Sequence, residues 1–236
     1  MTDQLIDDVF LLRTIFVLSG LALTFLVFIF YVRFDYVQER RWRKSIRSLC
    51  QQLLARYVNL HKEEEVARVR QRIKKVANSP EKRQILLEEI IDLYNNFNGI
   101  ASDRVKTLYK EMRLYEISVR KVKSLIWHEN IEGIVELSLM NYSKGAKYIR
   151  PLLHHPNIEV RRKAKIAIVE LNKIEGLKEL VDLPGEMSEW TYLSILSILK
   201  RTHNKISPED LRQLKDAESA NIRSLADHLE KHTLVI

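Results

Sequence analysis

An all-α fold is predicted by three observations. Apolar residues return at three-and-four spacing through most of the chain, the mark of one-sided helices. No run of alternating apolar residues argues for a strand, and only six glycines and five prolines interrupt the 236 residues. Small and apolar side chains also recur with a longer period of about thirty residues, in the range of stacked helix pairs. The expected architecture is one N-terminal transmembrane helix followed by an α-solenoid.

Residues 1–13 are a short acidic start with Asp3, Asp7, Asp8 and one base, Arg13. Residues 14–32, TIFVLSGLALTFLVFIFYV, carry no charge. As a helix they span about 28 Å, close to a bilayer's hydrocarbon core. A cleaved signal peptide wants a basic start, a shorter apolar region and small residues at its end. This stretch instead follows three aspartates and ends in aromatics and Arg33, so a single-pass anchor is expected.

Orientation follows from the flanks. One base precedes the anchor, whereas Arg33, Arg40, Arg41, Arg43, Lys44 and Arg47 follow it. The positive-inside rule then puts the N-terminus outside and the rest in the cytoplasm, with an inner (cytoplasmic) membrane as the expected location. Trp42 fits the headgroup level. Arg33, Arg40, Arg41, Trp42, Arg43 and Lys44 are therefore the candidate membrane-interface residues.

The formal net charge is +8. Residues 33–75 hold 13 Lys or Arg against 5 Asp or Glu, while residues 76–236 hold 25 against 23. The basic excess lies beside the anchor, where anionic lipid attracts it by about 1 kcal/mol per base. A nucleic-acid binder would carry its field on the folded module, so nucleic acid is not an expected partner. The single cysteine, Cys50, has no partner for an intrachain disulfide, consistent with a reducing compartment.

Residues 33–78 read as basic juxtamembrane amphipathic helices. Trp42, Ile46, Leu49, Leu53, Tyr57 and Leu60 line one stripe; Val66, Val69, Ile73 and Val76 line the next. The first stripe is too short for a sustained coiled coil. It packs on the chain's own next domain or forms a homodimer seam.

Residues 79–117 read as a capping helix pair. Asn78-Ser79-Pro80 opens it with a capping serine and a proline at the first helical position. Ile85, Leu86, Ile90, Leu93, Tyr94 and Phe97 face inward, Asn98-Gly99 ends the helix, and Ser102-Asp103 starts a second with Val105, Leu108, Met112 and Tyr115.

Residues 118–232 carry the repeat, as pairs near 118–142, 144–171, 173–201 and 207–232. The clearest unit is LLHHPNIEVRRKAKIAIVEL, 152–171. A turn at His155-Pro156-Asn157 joins two helices, and Val160, Ala164, Ala167, Ile168 and Leu171 share one face. Ile149, Leu152 and Leu153 of its first helix match Val122, Leu125 and Ile126, then Leu177, Leu180 and Val181, then Leu211 and Leu214. In the second helix Val160, Ala164 and Ala167 match Ile131, Val135 and Ser138, then Trp190, Ser194 and Ser197, then Ile222, Ala226 and Leu229. Arg161 recurs as Arg223. Pro184-Gly185 and Ser207-Pro208 mark further boundaries.

The Leu-Leu pair, His-Pro turn, Val-Arg and spaced alanines of 152–171 resemble a HEAT-type helical repeat of the bilin-lyase type, with His155 where the family has an acidic residue. Lys121–Tyr142 also looks like membrane-anchored HEAT proteins of bacteria. The resemblance implies an elongated stack with a concave surface that binds proteins.

Signals for catalysis are sparse. His128-Glu129 resembles one of the several His-Glu pairs by which deoxyhypusine hydroxylases hold two irons, but it stands alone. His228 and His232 share a helical face without a third ligand. His154 and His155 fall in a turn. No Gly-rich phosphate loop, nucleophile elbow or Cys-His pair is present. Likeness to alkylpurine DNA glycosylases is at the repeat level only. No catalytic residue, metal or cofactor is therefore assigned. Among Trp127, Tyr142, Tyr148, Trp190 and Tyr192, Trp190 is expected in the core, and Tyr148 and Tyr192 are the candidate partner contacts.

The expected function is a non-enzymatic, membrane-anchored cytoplasmic adaptor that binds a protein partner. Alternatives are an accessory subunit of a polysaccharide-synthesis or secretion complex, and a small HEAT-type metal-dependent enzyme.

Overall fold

A computed structural model of the protein describes the chain except residues 1, 61, 97–99, 182, 184–186, 203–205, 218 and 233–236, and except the side chains of 2–15, 100, 202 and 232. The expected helix stop at Asn98-Gly99, the inward Phe97, the Pro184-Gly185 boundary, the tail, and the side chains of Asp3, Asp7, Asp8, Arg13 and His232 lie outside the described residues. Most of the described residues are helical, and none forms a β-strand.

Helix α1, Thr2–Asn59, runs without a break because no proline interrupts it. Among the described residues it is the one helix long and apolar enough to cross a membrane, with a window of mean hydropathy 2.1 and none of that window buried. Its far end belongs to the folded body. Cys50, Leu53, Leu54, Tyr57 and Val58 are buried against α2 (Glu63–Val76), α3 (Pro80–Asn96) and α4 (Ile100–Glu111). This part of the predicted stripe is thus covered by the chain's own helices. Trp42 and Leu49 stay 39% and 40% exposed and are what remains for a dimer seam.

Polar contacts fix how α1 enters the body. The buried Glu89 of α3 takes Arg47 Nε at 2.6 Å and accepts from Gln51 Nε2 at 2.7 Å. Arg104 of α4 donates to the carbonyls of Val58, at 3.1 Å, and Leu60. Those carbonyls have no partner inside the helix once it ends. Burial pushes the Cys50 thiol up to about 11, with Glu89 adding to the effect, so the thiol stays protonated at neutral pH. In α2, Glu63–Glu65 at the start and Lys74 and Lys75 at the end both suit the helix dipole.

The second half contains α5 (Tyr115–Val122), α6 (Trp127–Leu139), the short α7 (Ala146–Ile149) continued by a 3-10 turn, α8 (Ile158–Asn172), α9 (Ile174–Lys178), α10 (Glu189–Thr202), α11 (Pro208–Lys215) and α12 (Ala220–His232). Helix α6 packs on α8, α8 on α10, and α10 on α12; α5 packs on α7, and α9 on α11. Gly133 lets α6 lie close on α5, since a Cβ there would meet Ser118 O at 2.5 Å and Val122 N at 2.7 Å.

There are two apolar cores. One runs from Cys50 to Ile117 and includes Met140; the other runs from Val122 to Leu229. Tyr115 and Tyr142 pack on both, their rings stacked with centroids 4.6 Å apart and 12° between planes.

The inward face of α8 is as expected: Val160, Ala164, Ala167, Ile168 and Leu171 are buried. So is that of α12, with Ile222, Ala226 and Leu229. In α6 and α10 the expected register is off by one residue. Asn130, Ile134 and Leu137 are buried rather than Ile131, Val135 and Ser138. Thr191, Ile195 and Ile198 are buried rather than Trp190, Ser194 and Ser197, and Trp190 is 81% exposed. The reason is polar. Asn130 Nδ2 reaches the carbonyls of Lys121, Val122 and Ser124 at 3.2, 3.0 and 2.8 Å. Thr191 Oγ1 lies 2.9 Å from Ser188 Oγ. The Asn130 Nδ2 donors and the Thr191 hydroxyl find partners inside, although Asn130 Oδ1 is buried without one, so the apolar neighbours Ile131 and Trp190 need not turn in. The first-helix match of Leu125 and Ile126 is also wrong. They sit in the link after α5, 102% and 46% exposed.

Turn chemistry is as read. Asn157 Oδ1 accepts from Glu159 N at 2.8 Å, Ser207 Oγ from Asp210 N at 3.1 Å, and Ser79 Oγ from Lys82 N at 3.4 Å. Arg161 and Arg223 play one role: each donates to the carbonyl six residues before it, His155 O and Ala217 O, both at 2.7 Å.

Candidate functional site

Three surfaces combine exposed apolar or aromatic side chains with charge. The first is an open groove of about 610 Å³ across α6, α8 and α10, closed on one side by Tyr94 of α3. Val135, Leu139, Ile166, Trp190 and Leu193 give it apolar walls. Lys163 and the Arg201–Glu170 pair, at 2.6 Å, give it a charged margin. Ser138, Ser194 and Ser197 also line it. Most of the residues expected in the core of α6 and α10 are therefore groove residues. Trp190 is a large amphipathic ring at 81% exposure, with Leu193 at 46% beside it. Side chains of this kind dominate binding when a partner desolvates them.

The second surface is a cleft of about 880 Å³ built from α5, the link behind it and the turns around α7. Lys123 Nζ and Lys147 Nζ each lie 4.8 Å from the centroid of the Tyr148 ring. The stacked Tyr115 and Tyr142 form a wall. Arg113 pairs with Glu116 at 2.6 Å. Among the described residues, Arg120, Lys123, Lys144 and Lys147 have no carboxylate in ion-pair range.

The third is the exposed stretch of α1 after the apolar segment. Arg33, Arg40, Arg41, Arg43 and Lys44 are exposed along it with Trp42. Arg43 pairs with Glu39 at 3.0 Å, and among the described residues the other four carry no ion pair.

The two candidate tyrosines are half-buried rather than free. Tyr148 holds the two lysines, and Tyr192 Oη lies 3.2 Å from Ser224 Oγ of α12. Both pack on the second core, but Tyr148 lines the cleft whereas Tyr192 lines neither the cleft nor the groove. Sequence reasoning missed Arg120, Lys123, Lys144 and Lys147. The signal was Lys144-x-x-Lys147-Tyr148, hidden by averaging charge over residues 76–236.

Among the described residues the histidines do not converge. His128 is exposed, edge-on to Trp127 at 5.9 Å between centroids. His155 Nδ1 accepts from Asn157 N at 3.1 Å, a turn contact. Among the described residues no three His, Cys, Asp or Glu gather as a metal-ligating group. The chain matches no protein-family model and no curated protein sequence.

Proposed function

We propose that the chain is a membrane-anchored adaptor of the HEAT-like class, non-enzymatic, that holds a protein partner at the cytoplasmic face of a membrane. Residues 14–32 cross the bilayer with the N-terminus outside, and the bases from Arg33 to Lys44 lie at the anionic inner leaflet. The body beyond is a solenoid of helix pairs. Support for the stack comes from α6, α8, α10 and α12, each packed on the next, and from α9 on α11. Buried positions also return about thirty residues apart, as in Ile134, Ala164, Ile195 and Ala226. The shared Arg161 and Arg223 bonds add a second repeated detail.

The observation that carries the reading is the groove of α6, α8 and α10 with Trp190 standing open in it. An exposed Trp beside Leu193, framed by charge, is the composition of a protein-binding centre with a polar rim. The test is a photocrosslinking amino acid at position 190 in the full chain, irradiated in its own membrane. One discrete protein adduct is expected. Trp190→Ala is expected to remove affinity for that protein while changing folding stability by no more than about 0.5 kcal/mol, as for an exposed side chain. Absence of any protein adduct, with turnover of a substrate by the purified chain, rejects the proposal.

A further inference from the structure

We infer that the cleft between α5 and α7 is a second recognition site, for an acidic segment of a protein partner whose carboxylates alternate with apolar side chains. This assignment rests on the adaptor reading and names partner chemistry for a surface apart from the Trp190 groove.

Charge is the first argument. The cleft is lined by Arg113, Arg120, Lys123, Lys144 and Lys147 against Glu116 and Glu129. An excess of three is concentrated here, although residues 76–236 as a whole hold 25 bases against 23 acids. Four of the five bases lack an internal carboxylate among the described residues, so their charge is available to a ligand. Two are not free-swinging. Lys123 and Lys147 sit over Tyr148 at 4.8 Å, within cation–π range, which lowers the cost of ordering them on binding.

Shape and polarity are the second argument. Tyr115, Tyr142 and Val119 supply apolar wall between the bases, and Leu125 stands fully out at the rim. A ligand that is only anionic leaves this surface wet. A segment with Leu or Phe between its Glu or Asp residues uses both.

The fold argues against the two other anionic surfaces. The body first touches α1 at Ile46 and Arg47. Counted from Val32 at about 1.5 Å per residue, roughly 20 Å of helix separates the apolar segment from the body. Arg33 to Lys44 occupy that stretch and give anionic headgroups their own basic partner, whereas the cleft bases belong to α5 and the turns around α7. Nucleic acid binds along an extended basic track, whereas the basic field here is confined to one cleft.

The experiment uses the full chain in nanodiscs of zwitterionic lipid. The probe is a fluorescent peptide of alternating Glu with Leu and Phe, compared with its Gln counterpart, with oligo-dT and with phosphatidylglycerol vesicles. The Glu peptide is expected to bind, to weaken as salt rises, and to lose about tenfold or more in affinity in K123E/K147E, as reversal of close charge pairs does. R120E/K144E is the second variant should the first unfold by circular dichroism. Equal binding of the Glu and Gln peptides overturns the assignment. So does preferential capture of oligo-dT or vesicles through the same lysines. Membrane crosslinking separates this from the parent reading. A partner captured equally by the wild type and K123E/K147E removes the cleft and leaves the adaptor; no partner at all removes both.

Discussion

Asn130 and Thr191 show how one polar side chain can set the register of a helix. Both occupy a buried position that a pattern search assigns to an apolar residue, and both find partners there. Asn130→Leu removes the amide donor to the carbonyls of Val122 and Ser124, while the Lys121 carbonyl keeps Ser124 N. A loss of about 1–3 kcal/mol is expected, the cost of unsatisfied buried groups, read from urea unfolding of the detergent-solubilised chain. Unchanged stability would show that the amide does not hold the register. Lys173 is a second telling residue. It joins α8 to α9 at φ 57 and ψ −124, a region that suits glycine at the first centre of a type II′ turn. Strain there costs about 1–3 kcal/mol for a residue with a side chain. Lys173→Gly is therefore expected to stabilise by about 1 kcal/mol, net of glycine's own entropy cost, in the same assay. At this scale the candidate site was only partly legible. Tyr148 could be singled out from the sequence, but its lysines could not, because their convergence on one ring depends on the path of the backbone between 123 and 147.

Between elements, ion pairs follow the order of helix packing. Arg150 grips Glu179 with Nε at 2.7 Å and Nη2 at 2.9 Å. Lys178 pairs with Asp210 at 2.8 Å, and Arg201 with Glu170 at 2.6 Å. Each joins two segments about thirty residues apart in the sequence. The Arg150 hydrogen bonds hold Glu179 below the usual carboxylate range, and Lys178 does the same for Asp210. A carboxylate with a depressed folded pKa contributes stability above its ordinary pKa and loses it as pH falls through and below that value. Urea midpoints are expected to drop as pH falls from about 5, with a shallower drop in E179Q, which has no charge left to lose. An identical pH profile for E179Q would show that the pair contributes nothing. Helix boundaries were the most readable level of the fold. Asn78-Ser79-Pro80, His155-Pro156-Asn157 and Ser207-Pro208 mark helix starts by their own chemistry, whatever packs around them.

For the whole molecule, the continuity of α1 is the governing feature. A helix that enters the body as Cys50, Leu53 and Tyr57 leaves its other end, residues 16–32, entirely exposed. So large an apolar surface is unstable in water at roughly 25 cal/mol per Å². The full chain is expected to stay with the membrane pellet in alkaline carbonate, and a chain beginning at Arg33 to be released by salt. Release of the full chain by carbonate would rule out a spanning helix. What the sequence determined by itself was whatever depends on neighbours along the chain: helices from three-and-four spacing, their starts from capping residues, and the long uncharged run. The inward turn of α6 and α10, the exposure of Trp190 and Leu125, and the gathering of bases around Tyr148 were decided only in three dimensions. The physical reason is that a period fixes which residues share a face. Which face is buried depends on whether polar groups such as Asn130 and Thr191 meet partners from another segment.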